Sequence, residues 1–466
     1  MTFAFEEFII AGSQQMSSSR NLIVPAMVMM LVAGPVKAEF KLINLGTLRG
    51  DVTSSAAAIN DLGEIVGESV NSNGIPHAFS YRDGRMSILS TNPSTAAAIN
   101  DAGQIVGRLL AYSTNIVIVP PLFPPTPLTN PIVILPTNPI VILPTNTIVF
   151  PLTNILIMVT NPAPKGTAVS VPNQIEGGIL ATNGKIVTNL VINSQAVLFR
   201  PGSSVNLLES TNPGYASGIN NQGEIVGSVT LLNDLTSYAF VYKNGLTTDL
   251  PVLSSAIGPA AAMGINNRGD IAGFSGIEPE HPFLYRHGLM YDLGTLGGSI
   301  GEANAINELG EIVGSSETTS NVEIHAFLYR QGQMTDLGTL SGLHSYPGTN
   351  VSARPFPPIV SEAYAINNWG MIVGIALTAE DAPHAFIYSN GKMTDLNDLV
   401  KLTHTNGPPG FLELNGANGI NDFGQIVGAG RYWDGAHETG RAFLMEWRPE
   451  HRPGATGAIF AWPGAH

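Results

Sequence analysis

The sequence predicts an all-β chain folded as a β-propeller of seven four-stranded blades, with the ring closed by its N-terminal strand. Three observations carry this expectation. The pattern A-x-A-I-N-x-x-G-x-I-V-G recurs seven times, and each copy is followed by a version of H-A-F-x-Y-R-x-G. A third pattern, M-x-D-L-G-T-L, follows the first six pairs, while its seventh copy stands at the N-terminal end of the repeats. Tandem units of four short apolar segments mark propeller architecture.

The first segment of each unit ends at Asn60, Asn100, Asn220, Asn266, Asn307, Asn367 and Asn421. Glycine follows three residues later (Gly63 to Gly424) and again four beyond that (Gly67 to Gly428), in all seven copies. The N-x-x-G step between the first two segments reads as a type I turn with glycine in the left-handed region. The third segment places an aromatic or β-branched residue at Phe79, Val197, Phe240, Phe283, Phe327, Phe386 and Phe443, and ends in R-x-G, which reads as a second turn of the same kind. The fourth is clearest at Met290 to Leu296 and Met334 to Leu340, and looser at Met86, Val205, Thr247 and Met393. Alternating apolar residues rich in Val and Ile argue for strands over helices throughout.

The displaced copy, Lys41 to Leu48, decides how the ring closes. The last unit stops after its third segment, so the N-terminal strand completes it, and closure removes the exposed edges an open array would leave. This orders each blade with A-x-A-I-N innermost and D-L-G-T-L outermost. Small residues on the inner strand (Ala56, Ala58, Ala96, Ala98, Ala303, Ala305) agree, because seven strands converge at the axis.

Two segments flank the ring and one interrupts it. Residues 1–38 read as a signal peptide with its start at Met1 or Met16: Arg20 precedes an apolar run from Leu22 to Ala33, and Val36 and Ala38 form the cleavage site. Pro25 and Pro35 bracket that run, which disfavours an uncleaved anchor or a buried helix. The mature chain would then be secreted, either to the cell surface and beyond or to the periplasm. Residues 449–466 read as a disordered tail. Residues 109–190 are an insertion rich in Pro, Ile, Val, Thr and Asn, with NPIVILPT repeated at Asn130 and Asn138. Proline recurs too often there for a membrane-spanning helix. Residues 175–188 faintly echo the first pattern, leaving eight blades as the alternative count. Without the insertion, roughly 49 residues remain per blade, near the 40 to 50 of known propeller repeats.

Composition limits the chemistry. With no Cys among 466 residues, disulfides, thiolate metal sites and a cysteine nucleophile are excluded. Lys and Arg number 21 against 35 Asp and Glu, giving a net charge of −14, which leaves no basic footprint for nucleic acid. No phosphate-binding loop, zinc-protease helix, nucleophile elbow or dinucleotide fingerprint occurs, and no cofactor is expected.

The candidate binding residues therefore come from connections and strand ends. Variable loops on one face, over a rigid scaffold, are where recognition concentrates. The longest is Ser341 to Ser361, with His344, Tyr346 and Arg354; Gly428 to Gly440 follows, with Arg431, Tyr432 and Trp433. Glu302 and Glu362 occupy equivalent places at the entrance of adjacent inner strands, where two carboxylates could bind a cation or act as an acid/base pair. The five equivalents are Ser55, Thr95, Tyr215, Ala261 and Gly416. His77, His281, His325 and His384 start third strands on different blades, which favours capping hydrogen bonds over a shared metal.

In this combination the sequence resembles the extracellular HAF-repeat proteins of bacteria, named for the tripeptide at His77 to Phe79, His325 to Phe327 and His384 to Phe386. D-L-G-T-L-G-G (Asp292 to Gly298) and the A-I-N-x-x-G-x-I-V-G strings belong to the same resemblance. It implies secretion and a repeat fold, and it assigns no catalytic residue. Gln195, Tyr238 and Arg441 stand where the tripeptide has His, against any required histidine chemistry.

The expected function is a secreted noncatalytic binding or surface-interaction module, whose partner is an extracellular glycan or protein met by the long-loop face. One alternative is an extracellular polysaccharide hydrolase or lyase using Glu302 and Glu362. Another is an envelope or matrix component assembling through the insertion.

Overall fold

The computed structural model describes residues 39–118, 142–143, 147–148, 186–208, 212–231, 236–253, 258–276, 279–319, 323–340 and 359–448. They form seven antiparallel four-stranded meanders. Five are separate sheets, and the other two are joined in one eight-stranded sheet through a single parallel pair, Glu280 with Ile300. Blade 1 runs Asp51–Ile59, Ile65–Asn71, Pro76–Arg82 and Arg85–Ile88 from axis to rim, in the predicted order. Blades 4 and 5 are the joined pair.

Blade 7 is closed as expected. Its three C-terminal strands, Gly410–Ile420, Ile426–Trp433 and Glu438–Arg448, take Glu39–Gly46 as the outermost strand. Phe443 pairs with Asn44, the place where Phe283 pairs with Asp292 in blade 4. An eighth blade is ruled out by direct contact between blades 2 and 3: Asn100 Nδ2 donates to the Asn220 carbonyl at 2.9 Å.

Local chemistry explains both turns, and one differs from expectation. In every N-x-x-G step the glycine N–H donates to the asparagine carbonyl, at 3.0 Å for Gly63 to Asn60, and the glycine takes a positive φ, +76° here. In blades 1 and 3 to 6 the R-x-G step is instead a two-residue hairpin with both central residues left-handed, φ 51° at Asp83 and 76° at Gly84. That is a type I′ turn, whose twist matches the right-handed twist of the flanking strands. The fourth strands are also shorter than the repeat pattern. They end at its Asp, as in Leu289–Asp292 and Gln333–Asp336, and L-G-T-L lies beyond them.

The second-strand glycine has a separate cause. Each inner strand carries a register shift, between Ala303 and Ala305 in blade 5, that pushes its backbone against the facing strand. A Cβ on Gly314 would overlap the Glu302 carbonyl oxygen, and the same clash recurs at Gly67, Gly107, Gly227, Gly273, Gly374 and Gly428.

The core lies between the blades. Among the described residues seven apolar clusters occur, one per blade joint, including Ala56, Ile59, Ile65 and Phe79 against Val427, Ala442 and Leu444 where blade 1 meets blade 7. Six third-strand phenylalanines are completely buried, and Val197 takes the seventh place at 1% exposure. Each phenylalanine so buried contributes about 2–3 kcal/mol.

In blade 2 the second and third strands run on to Ile118 and from Ile186, paired along their whole length. The insertion therefore begins and ends about ten and five residues deeper than expected. Apart from a short antiparallel pair, Ile142–Leu143 with Thr147–Ile148, its interior lies outside the described residues, as do residues 1–38 and 449–466.

Candidate functional site

The strand directions put all the N-x-x-G turns at one end of the central channel and the starts of the inner strands at the other. The two ends have different chemistry.

At the turn end the seven asparagines form a closed ring of hydrogen bonds. Each Nδ2 donates to the carbonyl of the next blade's asparagine, from Asn60 to Asn100 at 2.9 Å around to Asn421 back to Asn60 at 3.0 Å. Six of the seven Oδ1 atoms accept two N–H groups of their own turn, as Asn307 does from Leu309 and Glu311, and Asn100 accepts one, from Gln104. The following residue builds a second ring: the Asp61 N–H donates to Asp101, and the step repeats through Asn221, Asn267, Glu308, Asn368 and Asp422 back to Asp61. These residues, with the isoleucine preceding each asparagine, line a cavity of about 250 Å³. The polar residue after each asparagine is thus a link between blades.

At the loop end the structure brings Glu302 and Glu362 together and adds three residues that the sequence reading missed. Glu280, at the start of the third strand of blade 4, is hydrogen-bonded to Glu302. Burial, then the charge and hydrogen bond of Glu302, push the Glu280 carboxyl up to about 8, so it holds a proton at neutral pH. Glu302 is also raised, by burial first and then by the Glu362 charge. Burial raises Glu362 too, although Asn304 Nδ2 (3.1 Å) and the Tyr364 hydroxyl donate to it and pull the other way. Burial and the Glu362 charge hold the Tyr364 phenol well above its ordinary value. Glu280 precedes the tripeptide, and only the packing of blade 4 on blade 5 carries it to Glu302; no spacing in the sequence marks this.

Blades 1 to 3 supply the other arc. Arg108 lies over the Tyr215 ring at 5.4 Å from its centroid and donates from Nε to Thr95 at 3.3 Å. The nearby Glu68 carboxyl is raised by burial and partly offset by the Arg108 charge. The loop end thus offers carboxyl, amide, phenol and guanidinium groups around an aromatic face. That combination suits a ligand rich in hydroxyls, because each such group can donate or accept where a hydroxyl does the converse.

The remaining sequence candidates are placed differently. His344, Tyr346 and Arg354 lie outside the described residues. Gly428 to Gly440 is mostly strand rather than a loop: the second strand of blade 7 runs to Trp433 and turns back at Glu438. Trp433 is buried, with Nε1 on the Gly407 carbonyl, and Arg431 is clamped between Glu413 and Glu438 at 2.8 Å each. Tyr432 packs edge-on against Phe411. These three hold blade 7 together.

The repeat histidines cap strands. Nδ1 of His281 and His325 meets Asp292 and Asp336 at 2.9 Å, joining the tripeptide to the Asp of the fourth strand. Among the described residues no group of three or more His, Asp or Glu is arranged to hold a metal ion, and no helix is long and apolar enough to cross a membrane.

The Glu280 environment sets a pH dependence. Its folded-state value lies above the ordinary 4.5, so the folded chain binds the proton more tightly than the unfolded chain. The stability this confers is full below about 4.5 and is lost as pH rises through about 8. Glu280→Gln keeps the hydrogen-bond donor and cannot ionise. Thermal melts from pH 5 to 9 should show Tm of the parent falling across this window and the variant falling less, by about 2 °C at the alkaline end.

No protein-family model matches the chain, and no curated protein matches it. Among solved structures the chain is similar, at 11% identity, to TolB from Acinetobacter baumannii (TM-score 0.33, over 56% of this chain and 63% of that one). It is similar at the same identity to the acylaminoacyl peptidase of Pyrococcus horikoshii (TM-score 0.38, over 81% and 50%). A third likeness, again at 11%, is to the Aleuria aurantia lectin in complex with Fucalpha1-6GlcNAc (TM-score 0.28, over 83% and 94%). The chain spans less than two thirds of the length of TolB and half that of the peptidase.

Proposed function

We propose that this chain is a secreted, noncatalytic binding module of the HAF-repeat kind, and that it takes an extracellular glycan at the loop end of its channel. The observation that carries this reading is the convergence of Glu280, Glu302, Glu362, Asn304 and Tyr364 from blades 4 to 6. These five residues stand on strands, which hold them in place before a ligand arrives. On a glycan array at neutral pH the mature chain should bind a restricted set of glycans. Glu302→Gln and Glu362→Gln should each weaken that binding at least tenfold by calorimetry. Unchanged affinity in both variants, or capture of the same glycans by the isolated insertion, would remove the loop end as the binding site.

A hydrolase or lyase is the second reading, and one observation favours it. Glu280 is kept protonated at neutral pH in a buried carboxyl cluster with Glu302 and Glu362, and a carboxyl raised in this way is what the general acid of glycoside cleavage requires. Release of reducing ends from a bound polysaccharide, abolished by Glu362→Gln, would replace the noncatalytic reading with this one.

A further inference from the structure

The residue two places after each ring asparagine forms the apex of its turn, on the face opposite the proposed glycan site. Four consecutive blades, 5, 6, 7 and 1, carry bulky apolar residues there, and all four are exposed: Leu309 65%, Trp369 69%, Phe423 74% and Leu62 67%. The turn does not require this, because the same position holds Ala102, Gln222 and Arg268 on blades 2 to 4. Four such side chains present roughly 400–500 Å² of apolar surface, the size at which an exposed patch marks an interaction site.

Two further features give this arc a direction. Trp369 is pinned, since its Nε1 donates to the Asp422 carbonyl at 2.9 Å, so the indole is held toward blade 7 while most of it faces solvent. Just inside the arc stand Glu308, Asp422 and Asp61, lining a cavity with no Lys, Arg or His in its wall. Inside the opposite arc are Asp101 and the neutral Asn221 and Asn267. Three of the four carboxylates that line the channel mouth therefore lie on the side of the apolar apices. Burial, and then the Asp422 and Asp101 charges, raise the Asp61 carboxyl, as expected where no cation offsets them.

We infer that this arc docks a segment of another protein in which a Lys or Arg is flanked by apolar side chains. The cation enters the mouth beside Asp61 and Asp422, and the apolar neighbours lie over Trp369 and Phe423. A second copy of this chain is disfavoured by charge, because two mouths face to face would oppose their carboxylates on chains that each carry −14.

The probe is a library of random twelve-residue peptides displayed against the immobilised full chain. Selected peptides should be enriched in Lys or Arg between aromatic or aliphatic residues, and their affinity should fall with added salt. Trp369→Ser with Phe423→Ser should weaken the selected peptides at least tenfold. Asp61→Asn, whose Oδ1 still accepts the Asp422 N–H as Asn221 does for Asp101, should weaken them several-fold. Both variants should keep the parent melting temperature and the loop-end binding, because the apices are exposed and lie at the other end of the channel. Selection without a basic residue would overturn the inference, as would affinity unchanged in Trp369→Ser with Phe423→Ser. So would a dimer in sedimentation equilibrium that Trp369→Ser dissociates, glycan binding lost in that variant, or peptide binding that appears only after residues 449–466 are removed.

Discussion

Asn307→Ala is expected to destabilise the propeller by about 3 kcal/mol or more, among the largest effects of any single polar substitution in the chain. The amide makes four hydrogen bonds in a buried position. Oδ1 accepts from Leu309 and Glu311, while Nδ2 donates to the Asn367 carbonyl at 3.1 Å and to Glu311 at 2.7 Å. Alanine leaves the Leu309 and Glu311 N–H groups without partners, takes from the Asn367 carbonyl one of its two donors (the Gly370 N–H remains), and removes one of the groups that hold the Glu311 carboxylate. Leaving such groups buried and unpaired costs more than forming the bonds gained. Equilibrium denaturation checks this, with Leu309→Ala at the neighbouring exposed apex as the control, expected within about 0.5 kcal/mol of the parent. Asn307→Asp sharpens the test, because it keeps the acceptor and loses the donor. At neutral pH it places a carboxylate against the Asn367 carbonyl and Glu311, so it should be at least as damaging as alanine. A loss below about 1 kcal/mol in Asn307→Ala would mean that the ring is not a unit of stability.

The same residue shows how much the sequence could tell. Seven copies of N-x-x-G were plain, and the turn they predicted is present, yet the asparagine side chain acts across the blade joint. A partner 60 residues away, or 361 for Asn421 with Asn60, has no local signature. It follows only once the ring is known to close. Closure itself was legible, because the D-L-G-T-L copy at Lys41 to Leu48 had no third segment of its own to pair with. Glycine was legible as a repeat position but not as a cause. Gly314 is required by a register shift in the facing strand, which period-two alternation does not reveal.

The candidate site divides along the same line. Glu302 and Glu362 could be aligned because they hold equivalent places in adjacent units. Glu280 holds a different place in the repeat and reaches them by the packing of one sheet on the next. Gly428 to Gly440 looked like a loop because its length varies from the other copies. In the fold the extra residues extend two strands and bury Trp433 at 7% exposure. Aromatic residues in an apparent loop were thus core, while Trp369 and Phe423, inside a repeat that looked purely structural, are exposed.

Removing residues 39–46 should open the ring, with a loss of about 5 kcal/mol and a new tendency to associate. The strand buries Leu45 to 6% exposure and packs Ile43 against blade 1 and Phe40 and Leu42 against the core of blade 7. Its loss also exposes the edge of Glu438–Arg448, a flat row of unpaired backbone groups that other chains can extend. Thermal melts and sedimentation velocity read the two consequences separately. A permuted chain distinguishes lost closure from general damage. Glu39 pairs with Arg448, so the two ends lie side by side, two residue pairs beyond the place where the other blades have their two-residue turn. Joining Arg448 to Glu39 through Asn-Gly, with new termini between Gly46 and Asp51, would recreate the hairpin that Asn244 and Gly245 form in blade 3. The permuted chain should recover the parent's Tm and its sedimentation coefficient, because it restores every strand pair while changing only where the chain is cut. If the deletion leaves Tm within about 2 °C of the parent, the N-terminal strand is not the clasp of the ring. If the permuted chain stays as unstable as the deletion, the strand stabilises the fold by something other than completing blade 7.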